Sequence, residues 1–343
     1  MVAHYRFVFN SLRSERVIQE IDLYGVFMQM SMNGGDSQFD GTFQLDQTGK
    51  RNVDLLEATI PGSTYVVVER NDIPIGAWIT WSRVYSAQSK TIQLHGLPFD
   101  SYPRRALGLQ NLSYFGLEQT AIFMDMWRLM QEEAYGRNIN VVVPPFNLFM
   151  IPVVPKELEY LATDRKFYSE LMSSIANSAD GFDWYITVTR EANNYYRKDL
   201  KIGYPTLGTG ITDGMPIYEY PGNITQYYMT ESMAETGTNI FVLGAGEGSD
   251  MISRDFEHTD LLNGGMARWD TIVTRKDIDS EDLINQVAGT IAAIKKAPGT
   301  TVKMTVKGDA VPEFGTINLG DLARIVIRDA RNPETFQADK RLI

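Results

Sequence analysis

Three stretches of the 343-residue chain, and its many carboxylates taken together, offer residue types that do chemistry. In NIFVLGAGEGSD (239–250), an apolar run enters Gly244, Gly246 and Gly248, the kind of loop whose glycines let backbone approach a pyrophosphate. The stretch SDMISRDFEHTD after it holds no strong helix signal, no β-α-β alternation precedes it, and no lysine follows at P-loop spacing, so it reads as a flexible β-turn. The stretch from Asn33 to Gly41 offers carboxylate and amide oxygens suited to calcium. It lacks EF-hand spacing and the closing bidentate glutamate, and reads as a solvated hairpin tip. Ser37 beside Asp36, and His258 among Asp255, Glu257 and Asp260, are pieces of a Ser/His/Asp triad, but the serine has no local histidine and the histidine no identifiable nucleophile. Finally, 43 acidic residues always contain pairs that would suit a glycosidase, whose defining carboxylate separation is spatial.

Other chemistry is excluded by composition. With no cysteine there is no thiolate, CxxC motif, Cys-ligated zinc or disulfide, and His4, His95 and His258 are too far apart in sequence for an HExxH pair. No catalytic, cofactor-binding or metal-ligating residue is therefore assigned, and the expectation is that the chain is not an enzyme. A net charge of −11 and a pI near 4.9 disfavour a groove that tracks nucleic acid. The start, MVAHYRFVFN, has no apolar signal-peptide core. The most apolar stretch, 141–155, carries prolines 144, 145, 152 and 155, so neither a signal peptide nor a transmembrane segment is expected.

With 43% hydrophobic and 22% charged residues, the chain has the composition of a globular protein of roughly two or three domains at ~150 residues each. From residue 5 to about 105, short β-forming runs alternate with turn signals. Tyr65–Val68 and Trp78–Tyr85 predict a hairpin about Asn71-Asp72, and a meander or small barrel follows. Trp78 and Trp81, three apart, point to opposite faces of an extended strand. A helix is predicted over Gly116–Tyr135, with Asp125/Arg128 and Arg128/Glu132 as ion pairs and Ile122, Phe123, Met126, Trp127, Leu129 and Met130 as core. Residues 141–155, ten of them apolar, are either a connector buried over its own domain or an arm that buries against another subunit.

A second helix is expected to be capped by Asp164, to bury Phe167, Leu171, Met172 and Ile175, and to end at Asp180-Gly181. Alternation in FDWYITVT, a turn at Asn193-Asn194 and YYRKDLKIG then predict a two-stranded ribbon leaning on helices. After the connector YPTLGTGITDGMPIYEYPG come strands near 224–233 and 239–243, and a helix capped by Asp279 or Ser280 through Leu283, Val287, Ala288, Ile291 and Ile294 to Lys295-Lys296. Strands at 302–306 and in ARIVIRDA close the chain.

This order of elements, and the phrases IPIGAWITWSRV, SIANSADGFDWYITV, GAGEG, DSEDLINQVAGTIAAIKK and VPEFGTINLGDLARIVIRDAR, resemble the tail-tip hub proteins of long-tailed bacteriophages. They are also similar to the hub part of tail-associated lysins and to contractile-phage baseplate hubs. The resemblance implies a β-rich α+β chain in which two tail-tube-like β-barrel domains, 1–106 and 219–343, flank a central α+β domain, 107–218. It implies a structural virion protein at the tail tip, a homotrimer joining the tail tube protein and distal tail protein to a distal fibre or spike. Tape-measure protein and phage DNA would pass through its ring without sequence-specific binding. Lysin-type relatives carry a cleaving module after the hub; with Arg341-Leu342-Ile343 following closely on the last expected strand, no such module is expected here. The competing expectations are a cell-wall-degrading tail enzyme with a carboxylate pair, and a host-surface binding module using Trp78, Trp81, Tyr195 and Tyr196.

Overall fold

The computed structural model describes residues 3–178, 181–193, 195–210, 214–234, 236–275, 278, 280–296 and 299–342. With 41% strand and 18% helix, the chain is β-rich α+β, as expected. It divides into two compact units. The first comprises Met1–Tyr218, Gly308–Val326 and Glu334–Ile343; the second, Glu219–Lys307 and Ile327–Pro333.

The first unit opens with β1 (Tyr5–Ser11), β2 (Val17–Glu20), β3 (Tyr24–Gln29), β4 (Gln38–Gln44), helix α1 (Asn52–Ala58), β5 (Thr64–Arg70), β6 (Ile73–Ser86) and β7 (Thr91–Pro98). The predicted hairpin joins β5 to β6, with Asn71 and Asp72 both at positive φ (52° and 64°), the conformation a tight two-residue turn requires. The strands form one antiparallel sheet in the order β2-β1-β5-β6-β7-β4-β3. Strands β2 and β3 are therefore its opposite edges, although only Ile21, Asp22 and Leu23 separate them. A flat sheet of seven strands at ~4.8 Å spacing would hold those edges about 29 Å apart, whereas a three-residue link spans at most about 14 Å. The sheet must curl almost into a tube. Phe7 on β1 and Phe39 on β4, four strands apart, accordingly meet with ring centroids at 6.4 Å. No ladder joins β2 to β3 among the described residues, so the chain bridges the seam and the sheet is not a closed barrel.

Inside the curl, Phe9, Phe39, Phe43, Val66, Val68, Trp78 and Ile92 pack with Leu55 and Ala58 of α1. Their neighbours Val8, Tyr65, Val67 and Ile79 point outward into a second core. All seven residues of β5 are buried because both of its faces are covered.

The outer layer consists of β8 (Leu112–Glu118), α2 (Gln119–Glu132), β9 (Val141–Val142), β10 (Pro155–Tyr160), α3 (Tyr168–Ala176), β11 (Asp183–Arg190) and β12 (Tyr196–Gly203). Strands β8 and β10 pair, and β9 runs parallel to β12 beside β11. The predicted first helix starts later than expected. Gly116, at φ 61°, and its neighbours belong to β8, whose apolar residues continue the helical run without a break in composition. Its core residues Ile122, Phe123, Met126, Trp127 and Met130 are buried as expected. Asp164 does not cap the second helix, because Arg165 adopts a left-handed conformation (φ 56°). The helix begins instead at Tyr168, where the Glu170 carboxylate accepts the Phe167 N–H at 3.1 Å. It ends at Ala176, and Asp180 lies outside the described residues, as does Asn194 of the later turn.

The boundary between units falls within β13 (Ile217–Tyr220). The second unit holds β14 (Ile224–Ser232), β15 (Asn239–Leu243), β16 (Ser253–Glu257), α4 (Thr259–Asn263), β17 (Asp270–Thr274), α5 (Glu281–Lys295) and β18 (Gly299–Val306). Sheet β16-β15-β17 packs Ile240 and Val242 against Ile284, Ala288, Ile291 and Ala292 of α5, while β14 and β18 form a separate ribbon. Ser280 precedes α5 as expected; Asp279 and the side chains of Leu283, Val287 and Ile294 lie outside the described residues. Strands β19 (Leu322–Ile327) and β20 (Phe336–Arg341) complete the chain in a sheet with β13.

One buried carboxyl marks the junction of the curled sheet with the outer layer. Asp100, in the short helix Phe99–Arg105 after β7, is 6% exposed, and burial pushes its carboxyl up to about 7 against the opposing charge of Arg104. Protonated Asp100 is the form the fold favours. Its contribution is complete below pH 4, where folded and unfolded chains both carry the proton, and is lost as pH rises through 7. In urea unfolding, Asp100→Asn is expected to gain on the wild type by about 1 kcal/mol or more between pH 4 and pH 8. A pH-independent difference would mean that the carboxyl is not desolvated.

Candidate interaction surface

The candidate reactive groups are engaged in holding the fold. Asn33 docks on β11: it donates to the Asp183 carboxylate at 3.1 Å and accepts the Trp184 N–H at 2.8 Å. The tip from Asn33 to Gly41 is thus anchored rather than simply solvated. Ser37 is 8% exposed, and its hydroxyl meets the Ser31 hydroxyl at 2.8 Å. Asp40 pairs with His95 Nδ1 at 2.9 Å across β4 and β7. Near His258, Glu257 is paired with Arg268 at 2.9 Å and Asp260 with Lys296 at 2.7 Å, and His258 Nε2 lies 3.2 Å from the Ala292 carbonyl. The glycine loop is a turn between the antiparallel strands β15 and β16. Gly244 donates to the Ile252 carbonyl at 2.6 Å, and a Cβ on it would stand 2.8 Å from the Ile278 carbonyl. Its glycine serves a close backbone approach within the protein.

The four aromatic residues weighed for surface binding do not share a surface. Trp78 (1% exposed) and Tyr196 (4%) are core residues, whereas Tyr195 is half exposed and Trp81 lies beneath the Arg105 guanidinium at 5.5 Å. The opposite-face expectation for Trp78 and Trp81 agrees with this, although a bulge between Thr80 and Ser82 also contributes.

Among the buried polar centres that escaped sequence reasoning, two tie the curled sheet to the outer layer. Glu69, fully buried on β5, receives Arg6 at 3.0 Å and the Tyr196 hydroxyl at 2.9 Å, with Arg190 at 3.5 Å. Lys198, fully buried on β12, is ion-paired with Glu15, which also accepts the Tyr65 hydroxyl at 2.5 Å. The Lys198 ammonium sits 4.6 Å from the Tyr65 ring centre and 4.8 Å from that of Phe99. Burial pulls its pKa below the usual lysine range, with Glu15 opposing, and pushes the Tyr65 hydroxyl up. One signal was available in YRKDLKIG, where Lys198 shares the inward positions of Tyr196 and Leu200.

The feature with outward potential is the proline-punctuated segment 143–154. Its roots are fixed: Gln131 on α2 both donates to the Val141 carbonyl (2.9 Å) and accepts the Val141 N–H (3.0 Å). The Glu118 carboxylate accepts the N–H groups of Val153 (2.7 Å) and Val154 (3.1 Å). Val143 and Leu148 pack partly on the core, but Phe149 is 87%, Ile151 90% and Val153 71% exposed. Of the two expectations for this segment, a connector buried over its own domain holds only in part: Val143, Phe146 and Leu148 are half-buried, whereas Phe149, Met150, Ile151 and Val153 are exposed. No charge falls between Arg137 and Lys156. Exposed apolar side chains on a loop with pinned ends are a feature that commonly marks association surfaces.

No family model matches the chain, and no curated protein matches it. Solved structures do. It is similar to a tail protein from Neisseria meningitidis MC58, with a TM-score of 0.58 and 13% identity over 97% of this chain and 89% of the other. It is also similar to the 43 kDa tail protein of prophage MuSo2 from Shewanella oneidensis (TM-score 0.58, 11% identity, 98% and 91% covered). A third is prophage tail protein gp18 from Listeria monocytogenes EGD-e (TM-score 0.55, 6% identity, 97% and 88% covered). The chain shares their fold along almost its whole length.

The buried Lys198–Glu15 pair gives a direct test of what organises this layer. Glu15→Gln strands a buried ammonium and is expected to cost about 3–5 kcal/mol in denaturant unfolding, while adding Lys198→Met should recover most of that loss. Equal losses in the single and double variants would show that the charge pairing is not what matters there.

Proposed function

We propose that the chain is a structural component of a bacteriophage tail, and within it the tail-tip, or baseplate, hub. The observation that carries this is the shared fold with three tail proteins, two of them prophage proteins, over 97–98% of the chain. On this reading the hub is a homotrimer in the virion, with 1–106 and 219–343 as tube-like domains about a central 107–218. Three chains would then offer six tube-like elements to the tail tube protein and distal tail protein on one side and to a fibre or spike on the other. Two features support it: the first sheet curls almost to a tube, and the unit that contains it carries an exposed apolar arm. The net charge of −11 suits a lumen through which DNA and tape-measure protein pass, since like charge weakens contact with phosphate. The hub works by burying interfaces and uses no catalytic residue or cofactor.

Light scattering over a range of concentrations should give a mass of three times 38.7 kDa, with a central opening in images of the particle. Replacing Phe149 and Ile151 together by Ser should weaken self-association at least tenfold and leave unfolding stability within about 0.5 kcal/mol, because both side chains are exposed. A monomer that releases sugar or peptide from cell walls would replace this reading with an enzymatic one.

A further inference from the structure

The outer face of the curled sheet is unevenly covered. Over β1, β5 and the first half of β6 it is buried beneath the chain's own α2 layer, through Val8, Tyr65, Val67 and Ile79. Over β3, β4 and β7 it is barer: Thr91 is buried and Asp40, Thr42, His95 and Leu97 are half-buried, but Gln93 and the β3 side chains Tyr24, Phe27 and Gln29 are exposed. Tyr24 and Phe27 are three residues apart and would ordinarily face opposite ways. A register shift between them sets Tyr24 opposite Thr42 and Phe27 opposite Asp40, two outward positions of β4, so both rings lie on the outer face. They are 52% and 50% exposed, and Val84, reached across the sheet through Thr42 and Gln93, is 61% exposed. Segment 24–35 contains no charged residue and no proline. A strand at a sheet edge is ordinarily guarded by such residues when it is to stay free.

The covered half and the barer half of this face point to their common solution. The layer that covers the first half is the one that roots the apolar arm, through Gln131 and Glu118. Within that arm Leu148 packs partly on its own core, but Phe149 and Ile151 are left 87% and 90% exposed. The arm is uncharged, as is β3; on the neighbouring strands the carboxylate of Asp40 is already paired with His95, and between Pro145 and Pro152 the arm offers six residues against the six of β3. We infer that the occupant of the Tyr24–Phe27 face is a second copy of this chain, whose 146–151 arm lies across it and extends the covering layer from one subunit to the next. The contact is heterologous, arm to sheet, so that repeating it generates a ring. This rests on the proposed self-assembling hub and names its subunit junction.

The absence of cysteine makes the test direct, since any introduced thiol is the sole one in its chain. Full-length Phe27→Cys and Ile151→Cys proteins are prepared separately, mixed, and oxidised. The inference expects a disulfide-linked dimer in the mixture at a yield at least tenfold above that of either protein alone, and lost on adding excess unlabelled wild-type chain. An assembly of normal mass with no such cross-link, or with cross-links only between identical sites, overturns the junction and leaves the hub reading standing. Wild-type chain that stays monomeric at every concentration overturns both.

Discussion

The constraint on which the first unit depends is the three-residue link between β2 and β3. These strands are neighbours in sequence and opposite edges of a seven-stranded sheet, so the sheet can form only if it curls until its edges nearly meet. The curl creates a concave face small enough to be filled by a few aromatic side chains and one short helix, α1. It also creates a convex face too wide for the chain's own outer layer to cover. Buried Trp78 belongs to the first consequence, and the exposed Tyr24 and Phe27 belong to the second.

Attaching the outer layer to a curved surface demands register, and buried charges supply it. Glu69 with Arg6 and Tyr196, and Lys198 with Glu15 and Tyr65, each join the sheet or the turn beside it to β12. Such centres are weak sources of net stability, because desolvation cancels much of the attraction, but a misplaced partner is costly. They therefore select one docking of the layer among several that would bury similar apolar area. Glu118 and Gln131 perform the same service for the arm, fixing its roots by bonds to backbone while leaving its tip free.

Local pattern carried much of this into the sequence. Alternation announced β11, β12 and β18, and Asn71-Asp72 announced the turn, because these features follow from two-residue periodicity and from φ at single positions. The core of α2 was legible from its 3.6-residue spacing, but its start was not: Phe115 and Leu117 are as apolar as the helix, and only the left-handed Gly116 separates the two regimes. Sheet order was hidden, since it depends on contacts between residues distant in sequence. The exposure of 149–153 was hidden for a different reason. The same apolar, proline-rich composition serves a buried connector or a surface arm, and what decides is whether the ends are pinned so that the middle cannot fold back.

The energetics of that arm favour a junction made of two surfaces. Burying Phe149, Met150, Ile151 and Val153 would return roughly 2 kcal/mol each, about 8 kcal/mol in all. Loss of translational and rotational freedom on association costs about 4–15 kcal/mol, so an arm docking against ordinary polar surface would bind weakly if at all. Covering Tyr24 and Phe27 in the same contact adds two large aromatic side chains to the apolar side of that balance. Because the arm's roots are already rigid, little further conformational entropy is lost on docking. The hydrogen bonds that pin the arm's ends are thus what makes it effective against a neighbour.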